Sequence, residues 1–298
     1  LSNVAAANYG QPPAVKQQLI TPANPTYTFG SNRYVLTTAN GSQASSSRVY
    51  TLSAGAAPGT SLGTATGIDL GTNINVSSTI PVGINPVHGI MNADNRRAFV
   101  VNRSSNSVTV INTQTNSLDI SSNLPAGTIA VGSTPVWADV ATGINELAVV
   151  NQGNGSSAGS LTIINIPLCS AITQPGTGGC DTTNPIDAVG FGNVLGTVAV
   201  GVKPVMVSIL QDQNKAYVAN ADGTVSVISL TTPTTLIKTI PVGGTLNWIA
   251  TTSGSPTGKV YVTAEDTQVL TIINTDTDVV TATVPLQGNG IAVQVTEP

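Results

Sequence analysis

Charge is the scarcest property of this sequence. Charged residues make up 8% of its 298 positions, against roughly 25% in an ordinary soluble domain. Ser, Thr, Asn and Gly stand in their place. With Lys, Glu and Arg so few, the composition favours strands and turns over helices. Ten Lys and Arg against fourteen Asp and Glu give a net charge of −4. Gripping a phosphate backbone needs clustered basic residues, and here they are scattered, which argues against nucleic acid as a partner. The nearest approach to a patch, Arg96-Arg97 with Arg103, reads as solvated turn charge.

Catalytic groups are equally thin. His88 is the only histidine, so a Ser-His or Cys-His nucleophilic pair has a single base to draw on. No H-E-x-x-H, P-loop or EF-hand spacing occurs. Glu265-Asp266 and Asp276/Asp278 could do acid–base work, but side chains so close in a turn point apart into solvent. The expectation is no enzyme, no metal and no cofactor. No apolar run reaches the ~18 residues of a membrane span. Nor does a basic-then-apolar stretch stand at Leu1, and the expectation is that a signal segment has been removed or was never there.

Two cysteines, Cys169 and Cys180, lie close together in the polar stretch IPLCSAITQPGTGGCDTTNP. They are too few for a zinc site, and a local disulfide is the better reading. Such a bond persists outside the reducing cytosol, which points to a secreted or cell-surface protein. Asn-x-Ser sequons at Asn40, Asn75, Asn102 and Asn154 would matter only in a glycosylating host.

What the sequence does have is repetition. Segments starting at Pro86, Pro135, Pro204 and Thr245 share one order of parts, and a degenerate copy starts at Pro25. A short apolar run leads through a polar turn to a β-branched run (AFVVN, LAVVN, AYVAN, VYVTA, YVLTTAN). A Gly/Ser/Asn turn then leads to an alternating strand (SVTVIN, SLTIIN, TVSVIS, VLTIIN, RVYTLS). A Thr-rich turn leads to a last strand near the next Val-Gly or Pro. Four strands per unit cannot cover their own two faces. Units packed side by side around an axis cover both, which is an all-β propeller.

Tyr217-Val218-Ala219-Asn220 and Tyr261-Val262-Thr263-Ala264, the VSVI and LTII strands that follow, and the lead-ins from Val82, Val131 and Val200 to Pro86, Pro135 and Pro204 resemble the YVTN β-propeller repeat family. The resemblance runs over roughly residues 24 to 298. It departs from the pattern at Ala264, in place of the turn Asn, and at Thr245, in place of the lead-in Pro. It implies a propeller of seven or fewer blades, often exported.

Five units are complete. The C-terminal GNGIAVQVTEP reads as part of a sixth, the N-terminal NVAAANYGQ as a second strand and AVKQQLIT as a third. Residues 1–298 are therefore expected to form one propeller domain of six blades, closed by strands from both ends, with seven the alternative. Residues 55–71 and the disulfide-bearing 166–193 are expected to be loop insertions.

Two positions after each lead-in stand Tyr27, His88, Trp137, Met206 and Asn247. In a propeller the first strand of each unit lines the channel. These five side chains could therefore hold a small or peptide-like ligand at one mouth, or simply plug the axis. Trp248, one position later, is expected to pack between blades. Asn102, Asn151 and Asn220, at the ends of second strands, are expected to serve left-handed turns. Three functions stay open: a scaffold that engages protein partners or copies of itself, a binding module at the channel mouth, and a lactonase-like hydrolase. The neutral outer strands favour the first.

Overall fold

Wherever β-branched residues alternate with small polar ones, the chain is extended. The computed structural model describes residues 21–30, 48–69, 74–75, 79–93, 95–113, 115–121, 124–167, 190–254 and 257–295, and among these every regular element is a strand. No helix among them is long and apolar enough to cross a membrane.

The strands form five antiparallel sheets in chain order. Blade 1 holds β1 (Pro25–Gly30), β2 (Arg48–Ser53), β3 (Leu62–Asp69), β4 (Ile74–Asn75) and β5 (Ile80–Ile84). Blade 2 holds β6 (Pro86–Met91), β7 (Arg97–Asn102), β8 (Ser107–Asn112), β9 (Ser117–Leu118) and β10 (Thr128–Ala130). Blade 3 is β11 (Pro135–Ala141), β12 (Glu146–Asn151), β13 (Ala158–Asn165) and β14 (Val194–Val202). Blade 4 is β15 (Pro204–Leu210), β16 (Lys215–Asn220), β17 (Thr224–Ser229) and β18 (Thr235–Pro241). Blade 5 is β19 (Leu246–Thr252), β20 (Lys259–Ala264), β21 (Val269–Asn274) and β22 (Val279–Pro285).

The core lies between blades. Tyr50, Leu52 and Ile80 of blade 1 meet Ala98, Val100 and Ile111 of blade 2. Phe99, Val101 and Val110 of blade 2 meet Val140, Leu147 and Val149 of blade 3. Val150, Leu161 and Ile163 of blade 3 meet Val207, Ile209 and Val218 of blade 4. Tyr217, Val225 and Val227 of blade 4 meet Ile249, Val260 and Val262 of blade 5. Each large side chain so buried contributes about 1.5–3 kcal/mol. The innermost strands follow one another in the same order, β1 beside β6, then β11, β15 and β19. Sheets packed face to face in sequence around their first strands make a β-propeller.

Several details differ from the sequence reading. RVYTLS is the second strand of blade 1, since it pairs directly with β1. Residues 55–71 are no insertion, because they contain β3, which pairs with RVYTLS. YVLTTAN, the first twenty residues and both cysteines lie outside the described residues, while residues 286–295 carry no strand. Arg97 is no solvated turn charge: it is buried and paired with Asp119. Asp278 is buried too, accepting from Tyr217 Oη at 2.6 Å and Lys215 Nζ at 3.0 Å. Burial and that acidic partner raise the Tyr217 pKa. The sequon asparagine Asn102 is buried, whereas Asn154 is exposed.

Candidate functional site

Every innermost strand begins with the same distortion. A bulge falls between its first and third residues, at Pro25/Tyr27, Pro86/His88, Pro135/Trp137, Pro204/Met206 and Leu246/Trp248. The bulged second residue slips out of the ladder, and the third is re-aimed. Counted along the ladder, the recurring slot is Tyr27, His88, Trp137, Met206 and Trp248. The fifth residue is Trp248, not Asn247, because blade 5 starts its ladder at Leu246 rather than Thr245. Asn247 is the bulged residue: its Nδ2 donates to Gly290 O at 2.7 Å, and its Oδ1 accepts from Thr263 Oγ1 at 3.0 Å.

Four of the five slot residues meet on the axis. The rings of His88 and Trp137 lie 4.0 Å apart, those of Tyr27 and His88 4.9 Å, and those of Tyr27 and Trp137 6.4 Å. Trp137 of blade 3 meets Trp248 of blade 5 edge-on at 5.5 Å. Each such pair adds about 0.5–1.5 kcal/mol beyond its burial. Met206 packs instead against the core between blades 4 and 5. His88 is 3% exposed, and its Nδ1 has no hydrogen-bond partner among the described residues. Burial pushes its pKa down to about 3, so the ring is neutral. Burial also raises the Tyr27 pKa.

Below this layer, side chains satisfy the free edges of the inner strands. Asp139 of β11 accepts from Ile209 N of β15 at 2.9 Å and from Val140 N at 2.8 Å. Burial nevertheless pushes its pKa up to about 6. Gln211 donates to Val140 O and accepts from Thr142 N, each at 2.9 Å. Ser208 and Thr251 Oγ atoms lie 3.1 Å apart across blades 4 and 5. Among the described residues no three His, Cys, Asp or Glu side chains converge as a metal site. Asp266, one of the carboxylates singled out in sequence, is held by Thr245 N and Thr245 Oγ1. Those backbone and hydroxyl donors lower its pKa.

Asn102, Asn151 and Asn220 also act differently from expectation. Their Nδ2 atoms donate to strand-three hydroxyls: Thr109 at 2.9 Å, Thr162 at 2.9 Å and Ser226 at 3.0 Å. The lead-in glycine packs on the same amide, so that a Cβ on Gly201 would lie 2.6 Å from Asn220 Cγ. The left-handed positions belong to other residues, among them Asn85, Thr134 and Lys203 just before the strand-opening prolines, and Asn145 and Asn214 in the turns. In blade 5 the asparagine is Ala264, and a cavity of about 200 Å³ opens there, lined by Gly243, Gly244, Thr263, Ala264, Thr271 and Thr283. A second cavity, of about 440 Å³, lies at the far end of the inner strands beside Gly30, Met91, Asn92 and Thr142.

No family model matches the chain, and no curated protein matches it. Solved structures do. One is a functionally unknown protein from Desulfotomaculum acetoxidans DSM 771, 16% identical, with a TM-score of 0.54 over 82% of this chain and 71% of that one. Another is the dihydro-heme d1 dehydrogenase NirN in complex with DHE, 13% identical, with a TM-score of 0.58. It aligns with 92% of this chain, which spans about half of it (49%). At such identities the likeness is one of fold alone.

Proposed function

We propose that this protein is a non-enzymatic, secreted or cell-surface scaffold of the YVTN propeller type, which associates through its outer strands with copies of itself or with other proteins. The observation that carries this reading is the chemistry of β14, β18 and β22. They are the outermost strands of three successive blades, seven to nine residues long. Lys238 is the one charged residue on them, and Val194, Leu195, Leu236, Ile237, Val279, Val280 and Val284 are all exposed. A long outer strand offers unpaired N–H and C=O groups to a neighbour, and soluble proteins commonly guard such edges with charge. Here that guard is nearly absent on three edges in a row. The axial slot supports a ligand site less well, because its aromatic rings are packed on one another.

Sedimentation of the protein over a wide concentration range tests this. Species larger than the monomer should grow with concentration, and the double substitution Ile237→Lys with Val280→Lys should shift the distribution back to monomer while leaving the melting temperature nearly unchanged. A wild-type protein that stays monomeric at every concentration, with no protein bound to its outer strands, contradicts the proposal.

A further inference from the structure

Three of the four interfaces between blades end on a buried amide, and the fourth does not. Asn102 lies between blades 1 and 2, Asn151 between blades 2 and 3, and Asn220 between blades 3 and 4, each at most 1% exposed. Each fills the space over a lead-in glycine. A Cβ on Gly83 or Gly201 would lie 2.6 Å from the asparagine Cγ, and one on Gly132 2.7 Å. The amide works through its donor end: Nδ2 gives a hydrogen bond to a strand-three hydroxyl, while Oδ1 has no partner among the described residues.

Between blades 4 and 5 the amide is missing and everything that received it remains. Ala264 pairs with Leu246 as Asn220 pairs with Pro204. Gly243 is the lead-in glycine, and a Cβ there would meet nothing within 4 Å. Thr271 stands opposite Val262 as Thr162 stands opposite Val149, so the acceptor hydroxyl is kept. Thr271 is buried, lines the cavity of about 200 Å³, and makes no side-chain hydrogen bond among the described residues.

The walls of this cavity say what it can take. Leu246, Val262 and Ala264 form its buried side, and the exposed Gly243, Gly244 and Thr283 stand at its mouth. Among the described residues no Lys or Arg lines it. The Asp266 carboxylate, held by Thr245, would lie 2.8 Å from a Cβ on Gly244. An anion would meet that charge with no cation to offset it. The volume exceeds the ~150 Å³ in which an apolar cavity holds benzene, and it is below the roughly 300 Å³ at which sites for drug-sized ligands begin.

We propose that this cavity binds a small neutral molecule bearing a primary amide. The amide takes the place that an asparagine side chain holds in the other three interfaces. Its N–H donates to the Thr271 hydroxyl, and its apolar end packs against Val262 and Val269. The site lies in the wall between two blades, so it stands whether or not the outer strands associate.

The probe is isobutyramide, with the near-isosteric anion isobutyrate as its control. Both are titrated into the whole chain carrying labelled valine methyl groups. Isobutyramide should shift the Val262 and Val269 methyl resonances saturably, with the millimolar affinity that suits so small a ligand. Isobutyrate should leave them in place. Thr271→Val removes only the acceptor hydroxyl, and Ala264→Asn supplies the amide from the chain itself. Each should weaken isobutyramide binding about tenfold or more. Thr271→Val carries the test alone if the added asparagine disturbs the fold. No saturable shift with isobutyramide would mean that the cavity holds water only, and an equal shift with isobutyrate that it selects apolar bulk alone. Binding undiminished in Thr271→Val would place the ligand elsewhere. Any of these three results overturns the proposal.

Discussion

At the scale of single residues, two buried titratable groups pull stability in opposite directions with pH. His88 is held neutral by burial, with its pKa near 3 in the folded protein against about 6.5 unfolded. Between those values the unfolded chain binds a proton that the folded one refuses, so stability falls as pH falls, by about 1.4 kcal/mol per unit once well below the unfolded value. Glu146 is the reverse. Its carboxyl is buried, with Oε2 unpaired among the described residues, and burial pushes its pKa up to about 7 from 4.5. The folded protein keeps that proton where the unfolded chain releases it, so this contribution is lost as pH rises through the window. Urea midpoints measured across pH should show the acid-side loss flattened in His88→Phe and the neutral-side loss flattened in Glu146→Gln. Unaltered slopes in both variants would contradict these assignments.

At the scale of elements, the buried asparagine at the end of the second strand ties strand two to strand three and seats the lead-in glycine. Asn151→Ala leaves the Thr162 hydroxyl only its 3.4 Å contact with Thr197 Oγ1 and opens a void, and should cost about 1–3 kcal/mol in chemical unfolding. Blade 5 has lost this tie at Ala264, while Thr271 keeps the hydroxyl position of Thr109 and Thr162. Ala264→Asn should place an amide within reach of the Thr271 hydroxyl and gain about 1 kcal/mol. A lower melting temperature for that variant would contradict the equivalence. These elements were largely legible in the sequence. AFVVN, LAVVN, AYVAN and VYVTA are second strands, and the strands that follow them fall in the same order. Blade 1 misled because RVYTLS has the alternation of a third strand, and alternation records a half-buried face without recording rank in the sheet. The bulge hid Trp248: one extra residue shifts every later side chain to the opposite face, and where Leu246 replaces proline nothing marks its start. Arg97, Glu146 and Asp278 were invisible as buried groups, because burial of a charge depends on a partner or blade far along the chain.

At the scale of the whole molecule, a blade is a sheet with two apolar faces, and it is stable only between neighbours. Four interfaces are filled by the cores between blades 1 and 5, and side chains from blades 1, 2, 3 and 5 close the axis. The fold is thus a consequence of repetition, whereas the proposed role rests on the outer strands of blades 3, 4 and 5, where charge is nearly absent. The radial arrangement itself is tested most directly by a crystal structure viewed down the axis, even at modest resolution. The account predicts six sheets around a centre filled by Tyr27, His88, Trp137 and Trp248. Five sheets closed on one another with no space between blade 5 and blade 1, or two stacked layers with no central axis, would contradict it.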